Sequence, residues 1–272
     1  MINIFKNITS KRNQILLSEM VRTDFKLRYQ NSVLGYVWSL LKPLMLFVIL
    51  YVVFTQFLRM GKGIPNYPIS LLLGVVLWSF FVEATTGALK SIVGRGSLIR
   101  KINIPRYLIP VSVIASSLIN LMLNLAVVFI FVLLANDTPL SFVSLIVFPL
   151  LLIELIVLTV AVSFFLSAVF VKYRDVEHIW DVAKQALFYV APIIYPLTFI
   201  ADKKIQKLLL LNPFAQIIQD ARAVITYGGT PQINDVFGSH LPYLIPLLLI
   251  AITLLISSAY FRKNSKYFAE DI

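Results

Sequence analysis

Three ionisable side chains interrupt apolar runs in this 272-residue chain: Lys42, Glu83 and Glu154. A charge in hydrocarbon is costly unless it is paired or functional, so these positions come first as candidates for chemistry. Counted back from the outer ends of their runs, Lys42 lies about 24 Å in, Glu83 about 22 Å and Glu154 about 20 Å. All three are therefore expected at one level near the inner boundary. Two readings stand: Lys42 pairs with Glu83 or Glu154, or it snorkels alone to the cytoplasmic surface. A proton or ion relay would need more such residues along a pore.

Other chemistry finds little to use. Gly94 and Gly96 in "GRGSL" lack the Gly-Lys-Ser/Thr ending of a phosphate loop. His178 and His240 are expected on opposite sides of a membrane and cannot share a metal. There is no cysteine, which excludes disulfides, thiolate zinc sites and thiol catalysis. No helix carries paired carboxylates with a partner base, so an embedded transferase or hydrolase is disfavoured. The chain is expected not to be an enzyme, with no catalytic, cofactor-binding or metal residues of its own. Two patterns remain. Ser112, Ser116, Asn120 and Asn124 recur every four residues, which suits close helix packing or, second, a pore lining. Tyr36, Phe47, Tyr51 and Phe54 share one narrow helical face, which suits stacking on sugar rings or ordinary core contact.

The elements that must position these residues are membrane spans. Hydrophobic residues make up 59% of the chain and charged residues 14%, too apolar for a soluble domain of this size. The net charge of +11 sits in short clusters between apolar runs, so it reads as a membrane-orientation signal and not as a nucleic-acid surface. Residues 1–14 lack the pattern of a cleaved signal peptide. Six spans of about 20 or more residues are expected, near 33–58, 68–89, 107–135, 141–170, 180–200 and 241–261, forming one all-α membrane domain over 1–272. The fifth carries Pro192 and Pro196 and should kink. Cations concentrate in 1–31, 89–107, 171–185 and the tail, which places both termini in the cytoplasm. Residues 13–30 fall into an apolar half-face (Leu16, Leu17, Met20, Val21, Phe25, Leu27) and a polar one, as in a helix lying on the cytoplasmic surface, with Asp24 able to pair with Arg28. In the last external loop, 201–240, two short helices either dip into the outer leaflet or lie on it.

"FKLRYQNSVLGYVWSLLKPLM" resembles the opening of permease subunits from ABC-type polysaccharide and polyol-phosphate exporters, the membrane halves of transporters for O-antigen, capsule and teichoic acid chains. "RKINIPRYLIPVS", "YRDVEHIWD", "APIIYPLTF", "LNPFAQIIQDAR" and "YFRKNSKYFAEDI" match in the same order, across nearly the whole chain. The resemblance implies a permease homodimer with two copies of a separate cytoplasmic ATPase, which binds the ATP and magnesium, in a bacterial inner membrane. It implies that Arg95, Leu98, Ile99, Ile102, Arg100 and Lys101 dock on the ATPase, with Arg174 and Asp175 as a second contact; lipid headgroup anchoring is the other use for those cations. It also implies a lipid-linked glycan substrate, with Lys26, Arg28 and Lys42 as a cationic entrance for its diphosphate and Tyr36, Phe47, Tyr51 and Phe54 as its channel. Pro43 is expected to bend the first span and leave the Ser39 carbonyl without its helical partner. More distant type-2 ABC permeases move small drugs or lipids, and that is the alternative cargo.

Overall fold

The computed structural model describes residues 10–28, 34–35, 37–59, 64, 66–101, 104–135, 142–226 and 230–271. In chain order the helices are α1 (Lys11–Arg28), α2 (Val37–Leu50), α3 (Tyr67–Gly94), α4 (Gly96–Lys101), α5 (Leu108–Leu134), α6 (Phe142–Lys172), α7 (Val176–Val190), α8 (Lys203–Leu210), α9 (Pro213–Thr226), α10 (Ile233–Phe237), α11 (Leu244–Asn264) and α12 (Phe268–Asp271). A π-helical stretch, Tyr51–Phe57, prolongs α2. No strand occurs among the described residues.

Among the described residues, five helical segments are long and apolar enough to cross a membrane: Val37–Phe57, Tyr67–Gly94, Leu108–Leu134, Phe142–Lys172 and Leu241–Asn264. The expected fifth span, 180–200, is not one continuous helix. α7 starts earlier, at Val176, and stops at Val190, and at about 1.5 Å per residue its 15 residues are too short to cross alone. Pro192 has no amide proton and Pro196 holds extended backbone, so the chain leaves the helix there and makes only a 3₁₀ turn at Leu197–Phe199. The broken segment nonetheless runs antiparallel beside α3. Glu177 pairs with Lys90 near the foot of α3, Phe188 packs on Trp78, and the Ile194 carbonyl accepts from the Tyr67 hydroxyl at 2.6 Å near its head.

α3 is the central element: 78% of its most apolar stretch is buried, against 6% for Val37–Phe57. It packs on α5, α6 and α9, with Trp78, Phe81 and Phe214 forming an aromatic knot. α8 and α9 form a hairpin, and α9 is buried against α3 and α6 along most of its length, from Phe214 to Arg222. A second, smaller core closes the other end of the bundle, where Phe261 and Phe268 meet Ile92, Ile109 and Phe164, with Met20 of α1 and Ile99 of α4 packed against them. α1, the 95–107 loop and the tail thus share one end. α1 presents Leu16, Leu17, Met20 and Val21 inward, with Asn13 and Asp24, and Ser18, Glu19, Arg22 and Thr23 outward, as the periodicity predicts for these residues; the side chains of Phe25 and Leu27 lie outside the described ones.

Two helix breaks are stitched by side chains. Pro43 leaves the Ser39 carbonyl without its helical donor, and Asn124 of α5 supplies one at 3.1 Å. Around Pro192, Arg222 of α9 donates to the carbonyls of Pro192 and Ile193 and, at 3.0 Å, to that of Ser70 on α3. Gly74 leaves the room this needs, since a Cβ there would stand 2.7 Å from the guanidinium. Arg222, expected as an external loop cation, is instead 2% exposed.

Replacing Asn124 with Leu should cost about 1 kcal/mol, because a buried carbonyl loses its donor. Adding Pro43→Ala restores an amide proton for Ser39 and should recover most of that loss. Melting temperatures of the purified single and double variants decide it; a double variant no better than Asn124→Leu contradicts the stitch.

Candidate functional site

The stripe on α5 acts as a ladder of attachments. Ser112, at its foot, accepts from Arg95 at 2.9 Å and donates to Asp24 of α1 at 3.2 Å, while Arg95 and Asp24 form an ion pair. One turn up, Ser116 donates to the Val21 carbonyl of α1 at 3.4 Å. Asn120 and its neighbour Ser117 donate to Glu83 of α3 at 2.8 and 3.1 Å. Asn124, at the top, holds α2. Structural packing is therefore the role the structure gives the stripe, and Asp24 pairs with Arg95 of the α3–α4 corner.

The ladder also fixes the height of Lys42. Asn124 stands about 24 Å along α5 from Leu108, and Lys42 follows Ser39 by one turn. Lys42 thus sits about 29 Å along the roughly 40 Å of α5 and not at the inner edge of the bundle, because α2 begins at Val37 well inside it. Its side chain is exposed and makes no ion pair among the described residues. Neither carboxylate expected to pair with it does so. Glu83 faces α5, and Glu154 lines a cavity with Gln216, Asp220, Gln232 and Tyr243 between α6, the hairpin and α11.

That cavity belongs to a polar knot the sequence did not reveal. Asp220 accepts from Gln216 at 2.7 Å, Tyr243 at 3.0 Å and Gln232 at 3.2 Å, and burial pushes its carboxyl above the ordinary range against those three donors. Two residues on, burial pushes Arg222 down to about 10, so it stays charged at neutral pH. Its partners are all neutral oxygens, Gln219 Oε1 at 3.2 Å completing the set. Arg222 therefore fixes backbone, while Asp220 gathers side chains of α9, the loop before α10 and the turn before α11.

Of the expected channel residues, Phe47 and Tyr51 stand 5.8 Å apart and line a shallow apolar groove with Pro68, Ile69, Leu72 and Phe131. Phe54, like them, is half-buried against the core. The exposed side of the segment is largely aliphatic, with Met45, Val48, Ile49, Val52 and Val53, and carries Trp38 and Phe57 toward its two ends. Tyr36 and Ile102 lie outside the described residues, as does the side chain of Arg28, while Lys26 is exposed on α1. Among the expected coupling residues, Arg95 is engaged inward with Asp24, and Ile99 packs on the cluster around Phe268. Leu98 is half-buried, whereas Arg100 and Lys101 are exposed on α4. Arg174 lies 5.2 Å over the Phe170 ring and Asp175 precedes α7; both are exposed at the same end of the bundle.

Residues 16–226 match the family model described as ABC-2 type transporter. The chain is 28% identical, over its whole length and that of its relative, to the O-antigen export system permease protein RfbA of Myxococcus xanthus. It is 31% identical over 214 residues to an RfbA of Klebsiella pneumoniae, covering 78% of this chain and 81% of that protein.

Exchanging the charges of the latch tests it directly. Asp24→Arg or Arg95→Asp alone should lower the melting temperature by several degrees, since each leaves a partly buried charge unpaired. The double exchange should recover at least half of the loss. Additive losses would mean that the two residues act independently.

Proposed function

The chain belongs to the ABC-2 type transporter family, and from that premise we propose that it forms one half of a conduit for a polyprenol-diphosphate-linked polysaccharide. A second copy completes the conduit, and two cytoplasmic ABC ATPase subunits, which bind ATP and magnesium, drive it. The names of the relatives, O-antigen export permeases, support the cargo class. The alternation of cation-rich and cation-poor segments supports an inner-membrane topology with both termini cytoplasmic. In this topology α7 and its broken continuation make the sixth crossing, α1 lies at the cytoplasmic interface, and the α8–α9 hairpin re-enters from outside, a break tolerated because it is buried in protein.

Lys42 carries the conduit. An exposed ammonium with no ion pair among the described residues, near the start of the least-covered segment yet well inside the bundle, cannot be left in lipid, and its four-carbon stem does not reach either end of the bundle. Water, a second copy or an anionic cargo must face it, and a path between two copies supplies all three. Lys26 and Arg28, on the interface helix below, extend the cationic entrance toward the diphosphate. The groove at Phe47 and Tyr51, with Phe54 beyond, offers rings at the margin of the path. On the cytoplasmic side Leu98, Arg100 and Lys101 remain for docking the ATPase together with Arg174 and Asp175. Arg95 and Ile99 hold that corner from behind.

The absence of cysteine makes the test clean. In the assembled transporter a lone Lys42→Cys should react with a membrane-impermeant thiosulfonate, whereas a lone Ile153→Cys, exposed on α6, should not. No reaction at position 42 in any nucleotide state rules out a water-lined path there. Tyr51→Ala combined with Phe54→Ala should reduce export of the lipid-linked polymer several-fold with the complex still assembled; unchanged export, read from polymer retained in the cytoplasm, removes the two rings from the path.

A further inference from the structure

At the cytoplasmic end of the bundle three arginines from three separate elements surround one cavity of about 430 Å³: Arg12 in the first turn of α1, Arg106 in the loop before α5, and Arg262 near the end of α11. No carboxylate lines it. None of the three arginines forms an ion pair among the described residues. Three like charges brought together at the joint of three elements repel one another unless an anion sits between them. The remaining polar lining is Asn13, Tyr107 and Ser265. The Tyr107 hydroxyl is buried beside Asn13 without a hydrogen bond of good geometry, and burial pushes that phenol up, so it remains a donor. Ile104, Pro105 and Phe261 form an apolar wall, with Ile104 and Phe261 themselves buried.

We propose that this cavity binds the phosphate head group of a lipid, with the three guanidinium groups and the Tyr107 hydroxyl on the phosphate oxygens and the chains running out along the apolar wall. Guanidinium forks match phosphate geometry, and a pocket with donors on one side and hydrocarbon on the other suits an amphiphile better than a free ion. The height fits as well. Arg106 immediately precedes the span that begins at Leu108, and Arg262 lies two residues before the end of the one that closes at Asn264, which is the headgroup layer. A lipid held here would tie the interface helix α1 to the foot of α5 and the end of α11. The inference rests on the cavity alone and is independent of the cargo proposed above. Three unpaired guanidinium groups call for a net-anionic phosphate, which zwitterionic phosphatidylcholine lacks and two lipid classes carry: an abundant anionic phospholipid and a polyprenyl diphosphate.

Native mass spectrometry of the purified full chain, with nanodisc melting curves, tests it. The discs contain phosphatidylcholine alone, phosphatidylcholine with phosphatidylglycerol, or phosphatidylcholine with undecaprenyl diphosphate, and a fourth arm adds inorganic phosphate to the first. One phosphorylated lipid should remain bound per chain and raise the melting temperature by a few degrees. In the combined Arg12→Gln, Arg106→Gln and Arg262→Gln variant retention should fall at least tenfold, with melting in phosphatidylcholine alone unchanged. Retention of both lipids assigns a general phospholipid clamp, and retention of the diphosphate alone assigns the cargo head group; each supports the site. A control, Lys101→Gln with Lys266→Gln, removes nearby cations outside the cavity. Equal loss in that control, equal retention by the arginine variant, an equal shift with inorganic phosphate alone, or no retention in either anionic arm overturns the proposal.

Discussion

Hydrocarbon offers no partner to a backbone carbonyl, so every break in a helix surrounded by it must be satisfied from within the protein. This chain loses a helical hydrogen bond at Pro43, inside the continuous α2, and ends a helix outright near Pro192, and both sites are repaired by a side chain from another element. The first break is answered by an asparagine on α5, the second by a buried arginine on α9. Each repair joins elements far apart in sequence and in doing so sets their relative height. Arg222 does more than satisfy two carbonyls: it also takes Ser70, so the broken fifth segment, the central helix and the hairpin are held in one register by a single side chain. A lysine could not substitute, because a point charge lacks the planar fork that reaches several carbonyls at once.

Two kinds of attachment result, and they differ in what they fix. α3 is buried nearly all round, and its position follows from packing area. Val37–Phe57 has almost no buried area, so its register depends on the polar bond at Asn124, together with the partial cover that Phe47, Tyr51 and Phe54 give it. In lipid there is little apolar drive between helices, and polar contacts carry a larger share of specificity. A segment held in this way is fixed in height yet keeps a broad uncovered aliphatic face, which is the condition for meeting a second copy without disturbing the first.

Much of this was legible in the sequence, within a physical limit. The four-residue recurrence of Ser112, Ser116, Asn120 and Asn124 revealed a polar side on one helix, and Pro43 revealed that the Ser39 carbonyl would need a donor. Periodicity, however, describes one helix at a time; it cannot say which neighbour answers it. Hence the pairing of Asp24 with Arg95, across 71 positions, could not be read from α1 alone. The same limit hid Arg222, which hydropathy and loop counting placed outside the membrane among external cations. The broken fifth segment was half legible: its prolines announced a kink, but a helix that ends outright needs a partner for its carbonyls, and that partner lies 30 residues away. Only the recurrence of neutral acceptors around one charge makes such a burial affordable.

The height of Lys42 follows from the same logic and separates two views of the first span. Counting residues from an outer end assumes that every helix starts at the same surface, which puts the lysine at the inner edge, where it could snorkel harmlessly. The bond between Asn124 and Ser39 removes that freedom, since α5 is anchored at its foot to α1 and to the α3–α4 corner through Ser112. With both ends of the ladder fixed, the lysine is held well inside the bundle, on a side that the described helices leave exposed. A membrane protein tolerates such a charge only where the medium it faces is not lipid. The environment of that open side is thus dictated by the repair of a proline break on the inside.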